Sequence, residues 1–302
     1  MQFLFDSENY SGMSAVHENV LQPEYFMLTP PLDKPSAKAG VIADIIYSYP
    51  DHLPTNERIK EASKLVDYYK GKPTPARINE VKAKMISYLQ KRAEWDEINT
   101  DSREVRYLDN KSLEIASGCI KALSENMGVQ TLLHPTSIYD ETEFLPSENE
   151  QAIIVDCEVE AKGLEPFIIK LKAKLDNYTI DKDNNTIVIN DVKTTSKDIE
   201  FFGNVVTYYN YNREMSVYGT LLKMVVEKEY GIINPTIESN FLVVKTFPPY
   251  DTGIYTMTPE LFEKGGKQFQ YLLRLAAIAI YFKDYDKYLK YLHDLQGETE
   301  IL

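Results

Sequence analysis

TIVINDVKTT (residues 186–195) begins as a strand and then changes chemistry. Ile187, Val188 and Ile189 are β-branched and apolar, the residue type that fits a pleated, buried surface. Asn190, Asp191 and Lys193 follow where a core strand would continue with hydrocarbon. Side chains alternate along a strand with a period of two, so Asp191 and Lys193 project from one face. An acid and a base at the end of a buried strand imply something to hold or to act on.

The preceding segments explain what this strand pairs with. EQAIIVDCEVEA (150–161) and PFIIKLKAKLDNYTI (166–180) are also strand patterns, joined by the turn sequences KGLE (162–165) and DKDNN (181–185), which together predict an antiparallel meander. A two-residue turn at Asp183-Asn184 suits residues tolerant of positive φ. In that register Ile180 faces Ile187, Tyr178 faces Ile189, Asp176 falls opposite Asp191, and Lys174 falls opposite Lys193. Lys170, Lys172, Lys174 and Asp176 then share one face with Asp191 and Lys193.

Two carboxylates directly opposite each other repel unless a cation neutralises them. Hard oxygen ligands suit Mg²⁺ or Mn²⁺, which commonly complete their shells with water and substrate phosphate. Lys193 beside such an ion could position or deprotonate an attacking water, or stabilise charge on phosphorus. The alternative reading is a solvent-facing ladder of salt bridges with little energetic value. DKDNN lacks the glycine and distal glutamate of a calcium loop and is read as a turn.

Around the meander the patterns are helical. GVIADIIYSY (40–49), TNERIKEASKLVDYY (55–69), TPARINEVKAKMISYLQKRAEWDEI (74–98) and NKSLEIASGCIKALSENMG (110–128) predict helices, and residues 1–38 read as loop around TPPLDKPSAK (29–38). After the meander come a helix over 211–231, strands over 240–247 and 253–258, and a helix over 259–282. The expected fold is α+β (α/β): a central mixed sheet with an antiparallel meander flanked by helices, and a helical N-terminal part. The division falls near Pro146, giving 1–145 and 146–302.

Composition narrows the function. The 302 residues carry 46 acidic against 33 basic side chains, a formal net charge of -13, so contact with a polyanion must use a local basic patch or bound cations. Two cysteines, Cys119 and Cys157, cannot supply a four-thiolate cluster. No apolar run reaches the roughly 18 residues of a membrane span, and the N-terminus lacks a signal-peptide pattern. A cytoplasmic protein with no membrane partner is expected.

An Asp ending one strand in KAKLD, then Asp-x-Lys in NDVK, then a helix with an acid four residues before Tyr in EMSVY, resembles the PD-(D/E)XK nuclease superfamily. Its phage-type and RecB-like recombination exonucleases look most similar. The likeness covers roughly residues 145–280 and includes the tail VVKTFPPYDTGIYTMTPELFEKGGKQFQYLLRL. It implies a restriction-endonuclease-like core in which Asp176 and Asp191 hold metal, the Val192 carbonyl is a third contact, and Lys193 is catalytic. Glu214 stands where the family usually has Gln, four residues before Tyr218, and shares a helix face with it. Asp44, in GVIAD, stands where many relatives have a metal-binding His. Glu114 and Glu150 are candidates for a further acidic ligand. Lys170, Lys172 and Lys174 would form a phosphate track.

The expected activity is metal-dependent exonucleolytic hydrolysis of linear duplex DNA in phage-type recombination or DNA processing. A single-strand annealing protein and further copies of this chain are the partners the resemblance implies, in the host cytoplasm if the protein is viral. Three other readings stand beside it: a nuclease-dead DNA-binding or assembly subunit, a structure-specific endonuclease, and an unrelated α+β binding protein with a salt-bridged hairpin.

Overall fold

The computed structural model describes residues 7–135 and 147–296, which divide into two compact units. The first comprises 1–127 with 194–196 and 244–252, and the second 128–193, 197–243 and 253–302.

Within the first unit lie α1 (Ser7–Leu21), β1 (Phe26–Leu28), α2 (Ala37–Tyr47), α3 (Asn56–Leu65), α4 (Pro75–Ile98), β2 (Glu104–Arg106) and α5 (Asn110–Glu125). Thr55 and Thr74 accept from the backbone N–H groups of Arg58 and Arg77, and Asp109 accepts from those of Lys111 and Ser112, so α3, α4 and α5 each start on a capping side chain. Ile42, Ala43, Ile46, Ile59, Met85 and Tyr88 form the core between α2, α3 and α4. The expectation of loop through residue 38 is corrected in two places. SENYSGMSAVHENVL forms α1, whose polar composition hides the burial of Ala15, Val16 and Leu21. β1 pairs in parallel with β2, three residues on each side, too short to show a pattern in sequence.

The helix predicted to run to Gly128 breaks at Asn126, whose extended backbone separates α5 from α6 (Met127–Leu133). The second unit is built on β3 (Glu148–Val159), β4 (Phe167–Asp181), β5 (Thr186–Thr195), α7 (Phe202–Tyr208), α8 (Tyr211–Tyr230), β6 (Thr236–Lys245), β7 (Thr252–Thr256), α9 (Pro259–Phe282) and α10 (Tyr285–Gln296). Five strands lie in the order β3-β4-β5-β6-β7. β3, β4 and β5 are the antiparallel meander. From β5 the chain crosses through α7 and α8 to β6. Thr236 N–H to Asn185 O and Thr246 N–H to Thr195 O keep one offset along both strands, as a parallel pair must. The fold is mixed α/β. Among the described residues no helix is long and apolar enough to cross a membrane.

The hairpin register is the expected one: Tyr178 pairs with Ile189 and Ile180 with Ile187. Its turn is not. Pairing stops at Asp181–Thr186, leaving a four-residue loop. The Asp181 carboxylate accepts from Asn184 N–H at 3.0 Å and from its side-chain amide at 2.7 Å, and Asn185 takes the left-handed φ of 51°. Opening the loop by one residue on each side leaves the register unchanged, so a wrong turn still gave correct partners.

A row of buried amides fixes that register across the whole sheet. Asn177 donates to Asn149 at 2.7 Å, Asn190 to Asn177 at 2.7 Å, Asn240 to Asn190 at 3.2 Å, and Thr256 to Asn240 at 2.7 Å. One residue from each of the five strands takes part. Asn177, Asn190 and Asn240 are wholly buried, and Asn190 also donates to the Leu132 carbonyl of α6 at 3.0 Å. A one-residue slip would break every link and bury orphaned amides. Against this sheet α8 and α9 approach closely: a Cβ on Gly265 would lie 2.3 Å from the Asn212 carbonyl, so only glycine fits there.

Candidate active site

The last paired residues of β4 and β5 are Asn177 and Asn190, and one step further along lie Asp176 and Asp191. There the ladder opens: Asp176 Oδ2 accepts the Val192 N–H at 2.9 Å, a side-chain acceptor on a strand N–H. Val192, predicted to contribute its carbonyl, is therefore tied to the group through its N–H. On the other side of β4, Glu148 pairs with Tyr178, Asn149 with Asn177 and Gln151 with Leu175, which places Glu150 opposite Asp176. Glu150 drops out of the ladder with φ 55°, a left-handed conformation uncommon for a non-glycine residue and concentrated at sites where surrounding structure imposes it. A carboxylate oxygen of Glu150 lies within 4.8 Å of one from Asp176. Glu150, Asp176 and Asp191 thus form a row of acids across three adjacent strands.

Lys193 closes the row. Its Nζ is 2.8 Å from Asp191 Oδ2 and 3.3 Å from Glu214 Oε2, with the lysine side chain 17% exposed and that of Asp191 3% exposed. The Asp191 contact is a close pairing of opposite charges that is almost wholly withdrawn from solvent. Glu214 comes from the first turn of α8, and Tyr218 one turn later donates its hydroxyl to Glu214 Oε1 at 3.0 Å. One carboxylate oxygen is thereby occupied by the tyrosine and the other faces the lysine. Tyr211, which the sequence analysis did not single out, sets its ring 4.7 Å from Lys193 Nζ.

The electrostatics follow from burial and crowding. Burial raises the Asp191 carboxyl above the ordinary range; Lys193 opposes the rise, and the charges of Asp176 and Glu214 add to it. Burial alone would weaken the Lys193 ammonium, but Asp191 and Glu214 more than offset it, so its pKa is raised and it stays cationic at neutral pH. The Tyr218 hydroxyl is raised by burial and then by Glu214, and stays a hydrogen-bond donor.

The other predicted residues lie elsewhere. Asp44 accepts from Tyr88 at 2.8 Å and pairs with Lys34 at 2.7 Å and Arg92 at 2.8 Å, inside the first unit. A carboxylate held by two cations and a hydroxyl has little left to offer a metal. Glu114 is exposed on α5, with Tyr250 feeling its charge. Lys174 was expected opposite Lys193; its position pairs with Ala152 of β3 and its ammonium meets the Glu150 carboxylate. Lys170 pairs with Asp156 at 2.6 Å, and Lys172 is exposed. Two of the three lysines of the predicted phosphate track are thus already matched with acids. Cys119 and Cys157 are buried free thiols.

No family model matches the chain, and no curated protein matches it. A crystal structure of a protein from Eubacterium rectale, provisionally named an exonuclease, is similar over 89% of this chain and 83% of its own at 15% identity, with a TM-score of 0.36. Likeness at that level carries no weight for function.

Proposed function

We propose that this protein is a divalent-metal-dependent deoxyribonuclease that degrades linear duplex DNA from its ends. The observation that supports this reading most is the row of Glu150, Asp176 and Asp191 on three neighbouring strands, with Lys193 beside Asp191. Three carboxylates gathered at one level of a sheet repel one another; Lys174 and Lys193 offset part of that charge, and a divalent cation would offset the rest. The donors fit Mg²⁺ or Mn²⁺, because all are hard oxygens. Glu150, Asp176 and Asp191 would hold the ion, which would lower the pKa of a nearby water and offset charge on phosphate oxygens.

The chain's own residues define the rest. In the metal-free protein Asp191 and Glu214 raise the Lys193 pKa, and the ammonium is placed to orient an attacking water and to stabilise charge on the phosphate. Tyr218 fixes Glu214, and Glu214 with the Tyr211 ring fixes Lys193. The natural setting of this activity is DNA-end processing in recombination, where a single-strand annealing protein would take up the product strand.

The test uses end-labelled linear duplex and closed circular DNA with Mg²⁺, Mn²⁺ or chelator, and an Asp191→Ala Lys193→Ala variant. Metal-dependent loss of the linear substrate alone, absent in the variant, is expected. Cleavage that persists in the variant refutes the site. Cleavage of closed circles refutes the end requirement.

A further inference from the structure

Beyond Lys193 the chain leaves β5 through a short 3-10 turn, Ile199–Phe201, into α7. This segment is aromatic on both sides, and the two sides have different fates. Inward, Phe202 and Val206 are buried, with the Phe202 ring 5.8 Å from Phe241 and 5.2 Å from Tyr255. Outward, Phe201 is 55% exposed, Tyr208 78% and Tyr209 59%. These three rings rim a hollow of about 520 Å³ lined by Lys197, Phe201, Asn204, Val205, Tyr208 and Tyr209. Nothing in the packing of α7 requires large rings on its outer side, and exposed aromatics gathered around a concavity mark a binding surface.

A series of ring contacts links the rim of the hollow to Lys193. Asn210, in the left-handed conformation with φ 58°, turns the chain into α8. The Tyr208 and Tyr209 rings are 4.9 Å apart, Tyr209 stacks on Tyr211 at 5.7 Å with 26° between planes, and the Tyr211 ring reaches Lys193 Nζ. Among the described residues the lining holds a lysine and an amide and no carboxylate, in a protein with net charge -13. An anionic ligand with flat apolar faces matches this set: its rings lie on the aromatic faces, Lys197 meets a phosphate, and Asn204 offers a donor and an acceptor to a base edge.

We infer that the ledge formed by Phe201, Tyr208 and Tyr209 is a stacking site for unpaired nucleobases, so that the substrate strand reaches Lys193 as a frayed single-stranded end. The inference rests on the nuclease reading and specifies the form in which that site takes its substrate. Stacking needs no particular base, because every base has a π face, so the ledge admits any sequence.

The test is binding of a short single-stranded oligodeoxynucleotide containing 2-aminopurine, in chelator so that no cleavage occurs. Wild type is expected to bind and quench the probe. Removing one stacked ring should weaken binding roughly tenfold, and Tyr208→Ala Tyr209→Ala by more than that. Tyr208→Phe and Tyr209→Phe should retain binding, and Tyr230→Ala, at an exposed tyrosine at the end of α8, should leave it unchanged. Equal affinity and equal quenching in the double alanine variant would overturn the ledge, while metal-dependent cleavage by wild type would keep the nuclease reading. Cleavage of linear duplex by a wild type that does not bind the oligonucleotide would also overturn the ledge alone. Failure of wild type both to bind and to cleave would overturn both.

Discussion

Two rows of polar side chains cross the same sheet one residue apart, and they are opposites. Asn149, Asn177, Asn190 and Asn240 with Thr256 form the amide row; Glu150, Asp176 and Asp191 form the acid row. Strand alternation turns Asn177 and Asp176, and Asn190 and Asp191, to opposite faces. An amide both donates and accepts, so a line of them satisfies itself; a carboxylate only accepts, so a line of them repels and needs cations. The first row holds the strands in register, and the second collects charge that the register has brought together. A protein gains stability from one and spends it on the other.

If the acid row is chemical, the largest effect comes from removing the acid that Lys193 faces. Asp191→Asn should lower metal-dependent cleavage on the order of a thousandfold, read as the initial rate on end-labelled duplex, with the fold unchanged by circular dichroism. A rate near that of wild type would make the acid row a surface feature and return the salt-bridge reading.

If the amide row is structural, its largest effect is on stability. Asn190→Leu removes donors to Asn177 and to the Leu132 carbonyl and the acceptor of Asn240, all in buried surroundings. The expected loss is about 3 kcal/mol, measured as a lower urea midpoint, because several buried groups lose a partner at once. A variant as stable as wild type would show that apolar packing alone sets the register.

The rows also predict different responses to metal. Mg²⁺ or Mn²⁺ in excess should raise the melting temperature, with a stabilisation of about 1–3 kcal/mol for a site filled at ten to a hundred times its Kd. Asp176→Asn should remove that rise, and Asn240→Ser, already less stable, should retain it. Equal rises in both variants would place the cation elsewhere.

How much of this could be read from residues alone follows from range. Strand β5 and helices α8 and α9 were legible because branched residues, caps and terminal glycines act locally, and the hairpin partners were legible because register is arithmetic. That arithmetic sets Asp176 beside Asp191, but carried across KGLE it pairs residues summing to 327 and sets Gln151 opposite Asp176; the observed sum of 326, as in Val159 with Phe167, is what brings Glu150 into the row. The amide row was missed because asparagines read as turn residues, and nothing local marks Asn190 as buried. Helix α1 was missed because its apolar face is only a few residues wide. The spacing of the β4 lysines shows a shared face, which suits a phosphate track, but not the acids on β3 that Lys170 and Lys174 meet.

The smallest expected effect is also the sharpest contrast. Burial raises the Asp191 pKa from 3.8 to about 7, above its value in the unfolded chain. In that window the folded state holds a proton that the unfolded state has released, so stability of the metal-free protein falls as pH rises from about 4 to 7. Asp191→Asn removes the buried charge, and its cost to Lys193 is limited because Glu214 remains beside the ammonium. In chelator at neutral pH this inactive variant should be more stable than wild type by about 1 kcal/mol, and the difference should shrink as pH falls. Asn190→Asp makes the reverse exchange, placing an acceptor-only group among amides, and should destabilise at every pH where it ionises. If Asp191→Asn instead proved less stable than wild type in chelator, the Asp191–Lys193 pair would be a structural clamp, and the division between a row that builds and a row that acts would fail.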